Sequence, residues 1–160
     1  MCNSNAMYYQ QMVHQAHGSY LTTFLEQGFN IFLWNYRGYG MSDGAPTPLF
    51  LQQDSEVVLA YIKTTLKVEG KVGVYGRSLG GIPSTQIIDK VDLALIDRTF
   101  SNLEDMAQYR FYSKVTRVLF RVGSLGWNAQ NDVNFLKRAN KPVYKVILHD
   151  TRDAVVSLQA

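Results

Sequence analysis

Short runs of β-branched and aromatic residues alternate in this chain with longer segments whose apolar positions recur every three or four residues. From Tyr8 to Gln27, the residues Tyr9, Met12, Val13, Ala16, Tyr20 and Leu21 follow helical spacing, and Gly28 is placed to cap that helix. Asn30 to Tyr36 reads as a buried strand running into the glycine-rich loop Arg37 to Gly44. Two prolines then open a helix over Leu49 to Lys67, with Leu51, Val58, Leu59, Ile62 and Leu66 on one face and Gly70 beyond its end. Val72, Val74 and Tyr75 predict a further strand, Leu93 to Ile96 a short buried one, and Pro142 to Leu148 a last one. Residues 102–139 read as helices broken near Gly123-Ser124-Leu125-Gly126. Strands alternating with helices of this length predict an α/β domain, a mostly parallel sheet with helices on both faces.

Composition narrows this picture in a few places. With 160 residues, 46% of them hydrophobic and 18% charged, the chain is sized for one core and one domain. A net charge of +3 with no run of like charges gives no ground for nucleic-acid binding. The lone Cys2 excludes an internal disulfide and any C-x-x-C spacing. No apolar run reaches membrane-spanning length and the first residues lack a signal-peptide pattern, which leaves intracellular and membrane-associated settings open. His14 and His17 fall on the first helix with no carboxylate or cysteine at ligand spacing, so no metal site is expected. The loop at Arg37 to Gly44 lacks the lysine of a phosphate-binding G-x-x-x-x-G-K-[ST] motif, and no cofactor is expected.

The candidate chemistry lies in Gly76-Arg77-Ser78-Leu79-Gly80, between the strand at Val72 to Tyr75 and a helical segment. A serine on a sharp strand-to-helix turn needs small residues two before and two after it, because side chains there collide where the helix folds back on its strand. Such a turn presents the Ser78 hydroxyl as a nucleophile, although the same serine would also serve as a helix N-cap in an inert fold.

These residues, with Asn35-Tyr36-Arg37-Gly38-Tyr39-Gly40-Met41-Ser42, Ile96-Asp97-Arg98-Thr99-Phe100 and the stretch from Leu148 to Val156, carry a resemblance that spans nearly the whole chain. The sequence resembles the α/β-hydrolase family, and more closely its eukaryotic-type serine hydrolases acting on lipid or acyl substrates. The resemblance implies Ser78 as nucleophile and Asp153, in the turn after the last strand, as the acid of the triad. It implies an oxyanion hole from the backbone N–H of Leu79 and one from the loop Ser4-Asn5-Ala6, at Asn5. Read without it, Asp153 would cap a turn and Asn5 would be a plain turn residue. His149 matches a structural histidine of the family, with a substitute base as its other reading.

Two departures shape the expectation. The family order is serine, acid, histidine, yet no histidine follows Asp153 in this sequence. The family's first two strands and most of its third would precede Met1, the third lying between the strands expected at 30–36 and 71–76. The expectation is therefore a partial α/β-hydrolase domain over residues 1–160, with a helical lid-like insertion at about 102–139. It would be inactive alone, with strand edges unpaired and apolar faces uncovered. Its implied partner is a small acyl or lipid substrate. Arg110, Lys114, Arg117 and Arg121 form a basic stripe beside the apolar stripe of Phe111, Val115, Val118 and Val122. That arrangement suits either an anionic membrane surface or an ordinary core-facing helix. The rival reading of the whole is a non-catalytic binding or scaffold protein that kept the fold.

Overall fold

A computed structural model describes residues 1–14, 20–111, 115, 118–119, 127, 129–153 and 156. The helices are α1 (Tyr9–His14), α2 (Tyr20–Glu26), α3 (Pro48–Thr64), α4 (Gly81–Gln86), α5 (Leu103–Phe111) and α6 (Asn131–Phe135); the strands are β1 (Gly73–Arg77), β2 (Leu93–Asp97) and β3 (Tyr144–Leu148). The three strands form a parallel sheet in the order β1-β2-β3, in a register that sets Arg77, Asp97 and Leu148 level at their carboxyl ends.

Alternation along β1 places two different layers on the sheet. Val74 and Ala94 face a core built with Leu59 of α3 and with Ile87, Ile88 and Val91 beyond α4. Tyr75 points the other way, where its ring meets Tyr20 and Phe24 of α2 at centroid distances of 5.2 and 5.6 Å. Helices thus cover both faces, as the alternation of elements predicts. A second cluster, of Tyr36, Leu51, Leu79, Ile82, Phe100, Ala129 and Val156, lies across the carboxyl end of the sheet. β3 is the exception, with Tyr144 73% and Ile147 63% exposed.

Several expected boundaries move for identifiable reasons. The helix read from Tyr8 to Gln27 is described as α1 and α2, and Ala16 and His17 lie outside the described residues. Met12 and Leu21 are buried while Val13 is exposed, so the apolar face is narrower than its spacing implies. Gly28 adopts φ +82 and donates its N–H to the Leu25 carbonyl, the left-handed helix end expected of it. Thr47 caps α3 by accepting the Phe50 N–H at 3.2 Å; the helix stops at Thr64 and leaves Leu66 exposed. The break expected at Gly123 to Gly126 is outside the described residues.

Residues 30–36 form no strand, a correction to the pattern reading. The segment Met1 to Asn3 lies beside them: the Met1 nitrogen donates to the Phe32 carbonyl at 2.7 Å, Asn3 Nδ2 to the Trp34 carbonyl at 3.4 Å and the Tyr36 hydroxyl to the Asn3 carbonyl at 2.7 Å, while the one bridge of that segment, Cys2 to Gly76, is made with β1. A ladder needs successive partners on a facing strand, and here too few face it. The apolar character is used all the same: Tyr36 is 1% exposed and Trp34 packs against both cores. Asn35 accepts the Tyr9 N–H at 2.7 Å at the start of α1, and Arg37 makes a forked pair with Asp54 of α3. The loop from Arg37 to Gly44 is thereby tied to both helices.

Candidate active site

The turn between β1 and α4 is built from glycine clearances and one left-handed residue. Ser78 follows the last residue of β1 with φ +52, a conformation an L-residue holds only when its surroundings impose it. Ser78 opens a 3-10 turn, Ser78–Gly80, and neither that turn nor α4 has a side-chain cap bond. The N-cap alternative for Ser78 therefore fails on geometry. A Cβ at Gly76 would collide with the Gly80 carbonyl and stand 2.7 Å from Ser84 Cβ. A Cβ at Gly80 would collide with the Cys2 carbonyl and stand 2.9 Å from the Asn3 carbonyl oxygen. The spacing of small residues read from the sequence is a steric requirement of this corner.

The corner is fastened to the end of β2. Asp97, 5% exposed, takes bonds from Arg98 Nε at 2.8 Å, from Arg98 Nη2 at 3.0 Å and from the Tyr75 hydroxyl at 2.6 Å, with Arg77 Nε at 3.9 Å. Burial pushes its carboxyl pKa up, but the Arg98 and Tyr75 hydrogen bonds and the two guanidinium charges outweigh it and hold the group below the usual carboxylate range. Tyr75 is pushed up, first by burial and then by donating to Asp97. Thr99 Oγ1 donates to the Ser78 carbonyl at 2.5 Å. The sequence assigns no role to Asp97, Arg98 or Thr99; the signal it offers is an acid and a base in succession at the end of a buried strand.

Of the other residues expected at the site, Asn5 lies before α1 and Asp153 after β3. Cys2 continues the sheet beyond β1, its N–H donating to the Tyr75 carbonyl at 2.8 Å and its carbonyl accepting from the Arg77 N–H at 3.3 Å. That pairing presses the Cys2 to Asn3 backbone against Gly80. Leu79 buries its side chain in the core. Asn5 is exposed, and its Oδ1 accepts from the Ala6 N–H and the Tyr39 hydroxyl, a turn-holding use of that side chain.

Asp153 stands five residues beyond the end of β3, where its N–H donates to the Asp150 carbonyl and its Oδ1 accepts the Val156 N–H, both at 3.0 Å. Val156 packs in the cluster that holds Leu79. The charge of Asp153 also reaches Arg98, whose guanidinium is held protonated first by Asp97 and to a small extent by Asp153. His149 directly follows β3, its Nε2 buried and without a hydrogen-bond partner among the described residues. His14 is exposed on α1.

Arg110 is exposed, while Lys114, Arg117, Arg121 and Val122 lie outside the described residues. Phe111, Val115 and Val118 are 57, 66 and 59% exposed, so these three do not face the core.

A parallel sheet with a left-handed serine raised above its carboxyl edge is the setting in which a family assignment can be read. The family model described as X-Pro dipeptidyl-peptidase (S15 family) matches residues 3–135. The chain belongs to the S15 family of the α/β-hydrolase superfamily. Among curated relatives, the protein bem46 of Schizosaccharomyces pombe is 28% identical over 68% of this chain and 38% of its own length. The α/β hydrolase domain-containing protein WAV2 of Arabidopsis thaliana is 32% identical over 49% of the chain and 27% of its own. The lysophosphatidylserine lipase ABHD12 of Danio rerio is 27% identical over 82% of the chain and 37% of its own. The S15-family chain thus spans well under half the length of each of these relatives. No solved structure matches it significantly.

Proposed function

We propose that this domain carries the nucleophile of a serine hydrolase that cleaves carboxylic ester, thioester or amide bonds through an acyl-enzyme. The observation that carries the reading is the Ser78 elbow, a φ +52 serine between a parallel strand and a helix. In this mechanism the Ser78 hydroxyl attacks an acyl carbonyl and gives its proton to a base. The Leu79 N–H, with the backbone N–H at Asn5, takes the charge that develops on the carbonyl oxygen. Collapse expels the leaving group with that proton, and water then frees Ser78 by the same route. Asp153 is assigned as the acid that orients the base. No histidine follows Asp153 in the sequence, so the chain by itself is expected to retain only the residual catalysis of binding and oxyanion donors, about 10³ to 10⁴ over water.

A lipid or acylated substrate is favoured over a peptide by one relative's name, a lysophosphatidylserine lipase, and by the exposed apolar residues at Phe111, Val115, Val118 and Leu119. The lid-like region at 102–139 is assigned to border the acyl pocket and to meet a lipid surface. Among the described residues no helix is long and apolar enough to cross a membrane.

The test is hydrolysis of p-nitrophenyl acyl esters, a lysophospholipid and an X-Pro anilide with imidazole added as the exogenous base. Turnover that rises with imidazole and is absent in Ser78→Ala supports the reading, and preference among the three substrate types ranks lipid against peptide. Background-level turnover in both proteins would favour the non-catalytic scaffold. Flotation with anionic vesicles, lost when Phe111 and Val115 are changed to Ser, supports the lipid-facing assignment; unchanged flotation, or none, removes it.

A further inference from the structure

The peptide group between Ser78 and Leu79 has two ends, and the proposed mechanism uses only its N–H. Because the peptide is planar and trans, its carbonyl and its N–H point in opposite directions, and fixing one fixes the other. The Ser78 carbonyl is fixed twice: it accepts from the Gly81 N–H within the turn and from Thr99 Oγ1 across from β2. The first bond is local and follows the 3-10 turn. The second comes from the loop that follows β2 and ties the peptide plane to the end of that strand.

Thr99 is placed to hold that plane firmly. Its side chain wedges against α4, where a Cβ added at Gly81 would collide with Thr99 Oγ1 and stand 2.7 and 2.9 Å from its Cβ and Cγ2. The strand end that carries it is pinned, since the Arg98 N–H donates to the Leu148 carbonyl at 2.8 Å and the Arg98 guanidinium grips Asp97. Arg98 takes φ +44, and this turn of the backbone precedes the residue that meets Ser78. A hydroxyl donating to a carbonyl also polarises the N–H of the same peptide, making it a stronger donor to an anion.

We propose that Thr99 is a positioning residue for the oxyanion hole, setting the direction and donor strength of the Leu79 N–H through the Ser78 carbonyl. This rests on the reading of Ser78 as nucleophile and Leu79 as oxyanion donor.

The experiment compares the 160-residue chain with Thr99→Val, which keeps the shape and removes the donor, and Thr99→Ser, which keeps the donor. The readouts are the rate of Ser78 modification by a fluorophosphonate in added imidazole and the Leu79 and Gly81 amide resonances. Loss of one hydrogen bond predicts a rate about tenfold lower in Thr99→Val, restored in large part by Thr99→Ser. The Leu79 amide resonance is expected to move in Thr99→Val and to return in Thr99→Ser, with the amides of α3 unchanged in both. Labelling of Thr99→Val at the parent rate would overturn the proposal, as would a Leu79 amide that stays in place. If the parent chain does not react, the nucleophile assignment fails, and the Leu79 resonance alone decides whether Thr99 sets this peptide plane. If Thr99→Val does not fold, Thr99→Ser carries the decision: parent-like rate and Leu79 resonance support the proposal, and loss of either in a folded protein overturns it.

Discussion

Gly80→Ala separates backbone conformation from packing at the elbow. Gly80 has φ −63 and ψ −11, which alanine adopts without strain, so conformation alone predicts a gain of about 0.4–1 kcal/mol from a less flexible unfolded chain. Packing predicts the opposite sign. The new methyl would stand 2.7 Å from the Cys2 carbonyl carbon and 2.9 Å from the Asn3 oxygen, where ordinary contact begins near 3.4 Å, and both neighbours are backbone. Relief requires the Cys2 to Asn3 segment to withdraw from β1. That puts at risk the Cys2 N–H to Tyr75 carbonyl bond and the Arg77 N–H to Cys2 carbonyl bond, about 1 kcal/mol each, with about 1–3 kcal/mol of overpacking besides. The net expectation is a destabilisation of about 2–4.5 kcal/mol. Urea unfolding followed by circular dichroism should show a midpoint about 1–2 M lower for a slope of about 2 kcal/mol/M, with faster amide exchange at Cys2 and Arg77. Gly28→Ala is the control: φ is +82 and nothing lies within 4 Å, so it should cost about 1 kcal/mol and leave those amides alone. A Gly80→Ala protein as stable as the parent, or more so, would refute the steric account of the elbow.

Asp97→Asn should cost about 2 kcal/mol, below the full value of a buried pair because Arg98 is 30% exposed, as read from thermal or urea unfolding at neutral pH. The folded Asp97 carboxyl is held below its unfolded pKa, so its stabilisation is present above about pH 4 and is lost as the pH falls through the folded value. The parent should therefore lose its advantage over Asp97→Asn on acidification below about pH 4, and a constant difference down to pH 2 would count against the network. Thr47→Ala removes the α3 cap and should cost about 1 kcal/mol in the same assay, with Thr47→Ser close to neutral; equal losses would point away from the hydroxyl.

What could be read in the sequence was whatever depends on local pattern. Val72 to Tyr75 and Leu93 to Ile96 announced strands because they are short apolar runs between turn formers. The elbow was legible because only glycines clear the approach of α4 at Gly76 and of Cys2 at Gly80. The segment Asn30 to Tyr36 was misread because a ladder depends on a facing strand, and the neighbouring segment Met1 to Asn3 makes its one bridge with β1. Thr99 and Asp97 were missed as parts of the site because their partners, Ser78, Tyr75 and Arg77, lie about twenty residues away and meet them only through the β1–β2 register. The outward turn of Phe111 and Val115 was equally illegible, since helical spacing marks an apolar stripe without saying what it faces.

Where an acyl group lands on the chain decides whether Ser78 is the nucleophile. A fluorescent acyl phosphonate or activated ester, incubated with the chain in imidazole and followed by proteolysis and mass spectrometry, should be found on the peptide containing Ser78 and disappear in Ser78→Ala. An adduct on Ser84, on a tyrosine or on a lysine, with Ser78 unmodified, would contradict the claim that this turn carries the nucleophile.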